Sequence, residues 1–342
     1  MTSPLLSLVK SGTKLWLDSI DPGLVALSKS QGATGATSNP IIVANLVKSG
    51  KFDKDIDALK AKGKKGEELA WLLTDQIVSA AEQVFLPIYE ATKGNDGYVS
   101  FEVDPLIEDP AANIPHAERV AKYIELGTKW AKGHPNRLIK VPATPAGIEA
   151  LTELTAAGVN LNITLIFSER QYLAARDAVV KGLERNKNVS KFKSVYSIFV
   201  SRLDVYTDDQ VKSLPAKAQG WVGIVNAKRI WKKNKDFWQK KNLPLEQEMI
   251  FASTGTKKPN DPKYKYVAAF AGSDIETNPP ETNEAVEASG QVFKSSIGDL
   301  PSKDILDAID KHVDFQKLEE FLMTDGIKKF ADPQKALLSV FG

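Results

Sequence analysis

The sequence predicts an α/β protein whose parallel strands close into a (β/α)8 TIM barrel, with additional helices at the C-terminus. Two observations carry that prediction. Apolar strand-like runs alternate with longer helical segments along most of the 342 residues, which is the signature of βα units around a parallel sheet. About eight such runs can be counted, the number a closed parallel barrel requires. An open doubly wound sheet would normally announce a Gly-rich turn after its first strand, and Asp18-Ser-Ile-Asp-Pro-Gly23 is not one.

In chain order, Lys14 to Ser19 is the first strand and Leu24 to Gln31 a helix after it. Ala33 to Asn39, Tyr98 to Asp104, Leu138 to Ala143 and Leu161 to Phe167 follow as short strands. Ser194 to Ser201, Gln247 to Ser253 and the weakest run, Ser273 to Asn278, complete the set. Helices are predicted over Glu67 to Thr92, Ala117 to Lys132, Ala146 to Ala157, Glu169 to Arg185 and the long stretch Asp208 to Lys241, all too long for strands. Gly94 to Gly97 and Gly255 to Pro262 carry the Gly, Asn, Asp and Pro content of loops. No linker-like shift or internal repeat divides the chain, so residues 1–342 are expected to form one domain with a helical extension from about 301 to 342.

Composition narrows the chemistry. With 42% hydrophobic and 26% charged residues the chain can bury a large core. A net charge of +2 gives no general case for nucleic acid or an anionic membrane. Cysteine is absent, and His116, His134 and His312 have no metal-ligand spacing, which argues against a thiolate nucleophile, a histidine triad or a metal centre. No apolar run approaches the roughly 20 residues that cross a bilayer, and no signal-like apolar region opens the chain, so a cytoplasmic protein is expected. Ala227 to Asn242 interleaves lysines with Trp231, Phe237 and Trp238 and could be drawn as a nucleic-acid patch. Ile224, Trp231 and Trp238 recur at heptad spacing, however, which favours one apolar helix face with the lysines on the wet side. Asn162-Ile-Thr164 fits the glycosylation triplet but sits in a predicted buried strand.

Side chains alternate along a strand. In Tyr98 to Asp104 this puts Val99, Phe101 and Val103 toward the helices, and Ser100, Glu102 and Asp104 into the barrel. The same parity sets Asp18 against Leu15 and Leu17, Lys140 against Ile139 and Val141, and Asn162 and Thr164 against Leu161, Ile163 and Leu165. Ser197 and Phe199 oppose Tyr196, Ile198 and Val200. One inward polar residue can be structural, and Lys140 at a strand end also fits a lysine that snorkels to water. Polar groups on seven strands, from Asp18 and Asn39 to the Ser253 region, converge instead on the carboxyl-terminal mouth where barrel enzymes place their chemistry. A desolvated lysine there is a candidate amine nucleophile for a carbonyl. Arg202 and the run Ser253-Thr-Gly-Thr-Lys257 suggest a phosphate, although Arg202 could equally pair with Asp204 or Asp208 and Lys257 could be a solvated loop residue.

Taken together, the chain resembles the transaldolase family. The resemblance rests on Leu15-Trp-Leu-Asp18, Ala36-Thr-Ser-Asn-Pro40, Tyr98-Val-Ser-Phe-Glu-Val-Asp-Pro105, Ile139-Lys-Val-Pro-Ala-Thr144, Gly158-Val-Asn-Leu-Asn-Ile-Thr-Leu-Ile-Phe-Ser168, Ser197-Ile-Phe-Val-Ser-Arg-Leu-Asp204 and Ala252-Ser-Thr-Gly-Thr-Lys257, in the family's order. The last stretch is similar to the bacterial branch with a longer loop after strand seven. Departures are Ile41 and Ile42 after Asn-Pro, Lys258, and Glu276-Thr-Asn-Pro-Pro280.

The resemblance implies transfer of a dihydroxyacetone unit from a ketose phosphate (sedoheptulose 7-phosphate or fructose 6-phosphate) to an aldose phosphate (glyceraldehyde 3-phosphate or erythrose 4-phosphate). This is a step of the non-oxidative pentose phosphate pathway, and it needs no metal or organic cofactor. It makes Lys140 the Schiff-base lysine, Asp18 the acid/base for the cleaved hydroxyl, and Glu102 and Thr164 the pair that positions a water. Asn39 and Asn162 would orient the dihydroxyacetone hydroxyls, and Ser197, Arg202, Ser253 and Lys257 would hold substrate and phosphate. Related aldolases carry a tyrosine where this chain has Phe199, so Phe199 favours transfer over release of free dihydroxyacetone. Expected partners are small sugar phosphates, with no nucleic acid or membrane; a homodimer is allowed for, although the sequence does not give the oligomeric state. A Schiff-base aldolase on a related sugar phosphate and a non-catalytic binding barrel remain the alternatives.

Overall fold

A computed structural model describes residues 3–341. Eight parallel strands close in sequence order, β1 Lys14–Leu17, β2 Gly35–Ala36, β3 Val99–Glu102, β4 Arg137–Pro142, β5 Leu161–Ile166, β6 Ser194–Phe199, β7 Glu248–Ala252 and β8 Ile275–Asn278, with β8 pairing back onto β1. The predicted barrel is therefore the observed one. All eight predicted strands are present; β4 keeps its length and is shifted by one residue, and the others are shortened by one to five.

Helices fill every return. Pro22–Ser30 follows β1; Pro40–Lys48, Asp53–Ala61 and Gly66–Ala91 follow β2; His116–Ala131, Pro145–Ala156 and Glu169–Leu183 follow β3, β4 and β5. Several begin in the same way: Asp21, Asn39 and Thr144 each place a side-chain oxygen on a first-turn N–H and are followed by proline, whose fixed φ and missing N–H suit the first helical position. The predicted helix from Asp208 to Lys241 is in fact divided. Ser201–Gln210 and Val222–Trp238 are separate helices, because Pro215 lacks a donor and Gly220, at φ +78°, turns the chain between them. After β8 come Pro280–Ser289 and then Lys303–His312 and Phe315–Phe341, which form the predicted helical extension.

Strand parity sorts the side chains as expected. Leu17, Val99, Phe101, Ile139, Val141, Leu161, Ile163, Tyr196 and Ile198 join the core between sheet and helices. Trp16, Tyr98, Leu138, Val195, Ile250 and Ile275 fill the lower barrel interior and belong to a second cluster that continues through Leu165, Phe167 and Phe199 to the C-terminal helices. Three placements differ from the alternation rule or the helix-face reading. Leu165 joins the inner cluster, because φ +56° and a register shift between Ile163 and Ile166 turn it inward. Asp104 lies beyond the end of β3 and accepts the Leu106 N–H at 2.9 Å, so it caps the short helical turn Pro105–Glu108. Lys228 is not on the wet side of its helix: it is buried, donates to the carbonyls of Ser296 (2.7 Å) and Asp299 (2.6 Å), and burial brings its pKa down to about 8. Ile224 and Trp238 are buried on the predicted apolar face and Trp231 is partly buried against the same core.

Candidate active site

Above the apolar layer, the carboxyl ends of the strands enclose a cavity of about 180 Å³. Its wall includes Asp18, Asn39, Lys140, Thr164, Ser197, Phe199, Arg202, Ser253 and Lys257. Nine of the eleven predicted site residues thus meet in one space. The other two, Glu102 and Asn162, lie beside and below Lys140, since the parallel register sets Glu102 against Lys140 and Lys140 against Asn162. A wider chamber of about 630 Å³ adjoins the cavity and shares Arg202, Ser253 and Lys257 with it.

Lys140 is buried, with Nζ 3.0 Å from Glu102 Oε2 and donating to the Ser38 carbonyl at 3.0 Å. Burial raises the Glu102 pKa, and the opposing pull of Lys140 does not cancel it. The Asp18 carboxyl is raised for the same reason, although Lys140 and the Thr37 hydroxyl pull it down. Thr37 Oγ1 donates to Asp18 Oδ1 at 2.8 Å and lies 2.7 Å from Thr277 Oγ1. A hydroxyl has one proton to give, so Thr277 is the donor in the second bond.

Asn162 is held from both sides, with one N–H and one lone pair left over. It donates to Ser100 Oγ at 2.8 Å and accepts from Ser197 Oγ at 2.7 Å, forming a polar floor beneath the lysine. Asn39 caps its helix through Oδ1, at 3.0 Å from the Ile42 N–H, which leaves its amide group for the cavity. Thr164 Oγ1 is buried without a hydrogen-bond partner, and Glu102 Oε2 is buried with only the 3.0 Å contact to Lys140 Nζ.

At the outer end, Arg202 pairs with neither Asp204 nor Asp208. Asp204 accepts from the Gly223 N–H and the Tyr266 hydroxyl, and Asp208 pairs with Lys258 at 2.5 Å. Arg202 instead lies over the Phe199 ring, 4.9 Å from its centre, with Nη1 buried and unpartnered. Burial lowers the Arg202 pKa, although the carboxylates of Asp325, Asp18 and Glu102 pull it up. Ser253, at φ +58°, turns its hydroxyl to within 2.8 Å of Ser201 Oγ, and Lys257 extends over the rim. Among the described residues, no cluster of three or more histidine, aspartate or glutamate side chains could hold a metal ion, and no helix is long and apolar enough to cross a membrane.

Sequence reasoning did not single out Thr37, Ser38, Thr277 or Phe330. The first two lie in the matched stretch Ala36-Thr-Ser-Asn-Pro40, so a signal for them existed. Phe330 comes from the C-terminal helix, and no local pattern indicates that this helix crosses the mouth.

Comparison with known proteins places the chain among relatives over nearly its whole length. Residues 15–341 fit the family model described as Transaldolase/Fructose-6-phosphate aldolase. The chain is 34% identical to "Transaldolase 2" of Streptomyces avermitilis, with 96% of this chain and 94% of that one covered. It is 33% identical to a "Transaldolase" of Arthrobacter sp. (99% and 96% covered) and 30% identical to that of Trichodesmium erythraeum (99% and 97% covered). The match over residues 15–341, together with relatives 30–34% identical over nearly the whole chain, establishes that the chain belongs to the transaldolase/fructose-6-phosphate aldolase family.

Proposed function

We infer that this chain is an enzyme that transfers a dihydroxyacetone unit from a ketose phosphate to an aldose phosphate through a Schiff base on Lys140. The observation that carries the reading is the Lys140–Glu102 contact at 3.0 Å inside a cavity whose far end holds the unpaired Arg202. Because burial raises the Glu102 pKa, Glu102 can hold the proton that would otherwise block the Lys140 amine.

The free amine attacks the ketose C2 carbonyl. Proton transfer to the new hydroxyl expels water and leaves an iminium, with Glu102 and Thr164 holding the water between them. Asp18 takes the C4 hydroxyl proton, the C3–C4 bond breaks, and its electron pair passes to the iminium to leave an enamine. The shortened aldose departs, and an incoming aldose carbonyl is attacked by the enamine carbon in the reverse sequence. The raised Asp18 pKa suits it to return that proton. Asn39, Asn162 and Ser197 orient the dihydroxyacetone hydroxyls, while Arg202, Ser253 and Lys257 receive the phosphate. Phe199 keeps its apolar edge toward the lysine-bound carbon unit. Sugar phosphates are anionic and do not cross bilayers unaided, which fits a cytoplasmic site of action.

Borohydride reduction in the presence of fructose 6-phosphate, followed by peptide mass mapping, tests this directly. The expected adduct is on Lys140, and Lys140→Ala should lose both the adduct and at least about three orders of magnitude of transfer to erythrose 4-phosphate. An adduct on another lysine, or full turnover by Lys140→Ala, would refute the mechanism.

A further inference from the structure

The C-terminal helix Phe315–Phe341 does not simply pack on the outside of the barrel. It runs against the helix after β2 on one side and Ser201–Gln210 on the other, so it spans the mouth. Three features bring it close. Gly326 faces the barrel, and a Cβ there would stand 3.1 Å from Leu165 Cδ2 and 3.5 Å from Arg202 Nη1. Leu165 adopts a left-handed backbone that L-residues disfavour, and this turns its side chain to meet the helix. Leu322 and Phe330, one helical turn either side of Gly326, are buried in the same cluster as Leu165, Phe167 and Phe199.

Phe330 lines the cavity, and its ring centre lies 5.6 Å from Lys140 Nζ. We propose that Phe330 is a specificity-determining residue of the transfer reaction, closing the barrel mouth over Lys140 so that water does not reach the lysine-bound three-carbon intermediate. The inference rests on the Schiff-base reading above. Loss of that intermediate needs protonation of the enamine carbon, addition of a water oxygen to C2 as the C=N electron pair moves onto nitrogen, and expulsion of the lysine amine as the C2 carbonyl re-forms. Dihydroxyacetone is the product and Lys140 is restored. An aromatic ring on that side offers the water no hydrogen-bond partner, while its face favours the cationic iminium over the neutral amine. Phe199 and Phe330 come from elements 131 residues apart, 330 minus 199, so the apolar cover is assembled only in the folded barrel.

The test is the ratio of free dihydroxyacetone released to dihydroxyacetone transferred to erythrose 4-phosphate. Both are measured on the same sample, so the ratio is independent of how much enzyme is folded. Phe330→Ala should raise it about tenfold, and Phe330→Leu, which keeps most of the apolar volume, by a smaller factor. An unchanged ratio in Phe330→Ala overturns the proposal; should that variant yield no folded enzyme, an unchanged ratio in Phe330→Leu overturns it. Borohydride trapping on wild-type Lys140 is run alongside: without that adduct the Schiff-base reading fails, and with it an unchanged ratio counts against Phe330 alone.

Discussion

Glu102 and Lys140 face each other at 3.0 Å where neither meets bulk water, and the position of the proton between them decides whether the lysine is a nucleophile. Two effects compete. The ammonium–carboxylate attraction favours the charged pair, while burial penalises both charges. Burial raises the Glu102 pKa against the pull of Lys140, which favours the protonated acid, and the Ser38 carbonyl fixes the direction of the lysine side chain. The same reasoning separates transfer from release at Phe199, whose ring packs edge-on to Phe167 at 5.4 Å and under Arg202. Phe199→Tyr would add one hydroxyl at the edge of the cavity, giving a water both a donor and an acceptor. Free dihydroxyacetone release should rise severalfold relative to transfer; a release rate equal to that of the wild type would show that Phe199 does not govern the water.

At the scale of elements, the strands were legible because alternation is a local rule, and it failed where the backbone departs from it. Leu165 follows Asn162 and Thr164 in an apparently regular strand, yet the bulge turns it inward; nothing in Leu161-Asn-Ile-Thr-Leu-Ile marks the break. Lys228 sits at a helical position where a lysine normally finds water, and it is buried because the loop 296–299, distant in sequence, closes over it. The lower end of the barrel shows the same limit. Lys193, just before β6, is fully buried and pairs with Glu248 at the start of β7, which Lys14 of β1 also contacts at 2.8 Å. Burial lowers the Lys193 pKa and makes the pair costly to break from one side, because Glu248 would keep only its partly exposed partner. Lys193→Met should cost about 3 kcal/mol of unfolding free energy in urea, with the activity of the folded enzyme unchanged because the site lies at the other end of the strands. A loss below about 0.5 kcal/mol would mean that Lys14 alone satisfies Glu248.

For the molecule as a whole, closure of the barrel was readable from the count of strand-like runs, whereas the path of the C-terminal helix across the mouth was not, since an amphipathic pattern states which face is apolar and not what that face meets. Closure also leaves one group exposed to a global test. Ile275 and Thr277 of β8 point into the barrel, so Glu276 between them points out, into the layer between sheet and helices, where it is fully buried and neither carboxyl oxygen has a hydrogen-bond partner. Burial raises its pKa well above the ordinary glutamate range, with Asn278 pulling the other way. Between the unfolded and folded values the native state binds more protons than the unfolded chain, so this group's contribution to stability is complete at acid pH and declines as pH rises, by up to about 1.4 kcal/mol per pH unit. Glu276→Gln keeps the shape and removes the titration. Unfolding free energies measured at about pH 5 and about pH 8 should fall less steeply for the variant, which should be the more stable of the two proteins at the higher pH. Parallel pH dependences for the two proteins would mean that Glu276 titrates alike in the folded and unfolded chains, and that the buried carboxyl does not tie the stability of the barrel to pH.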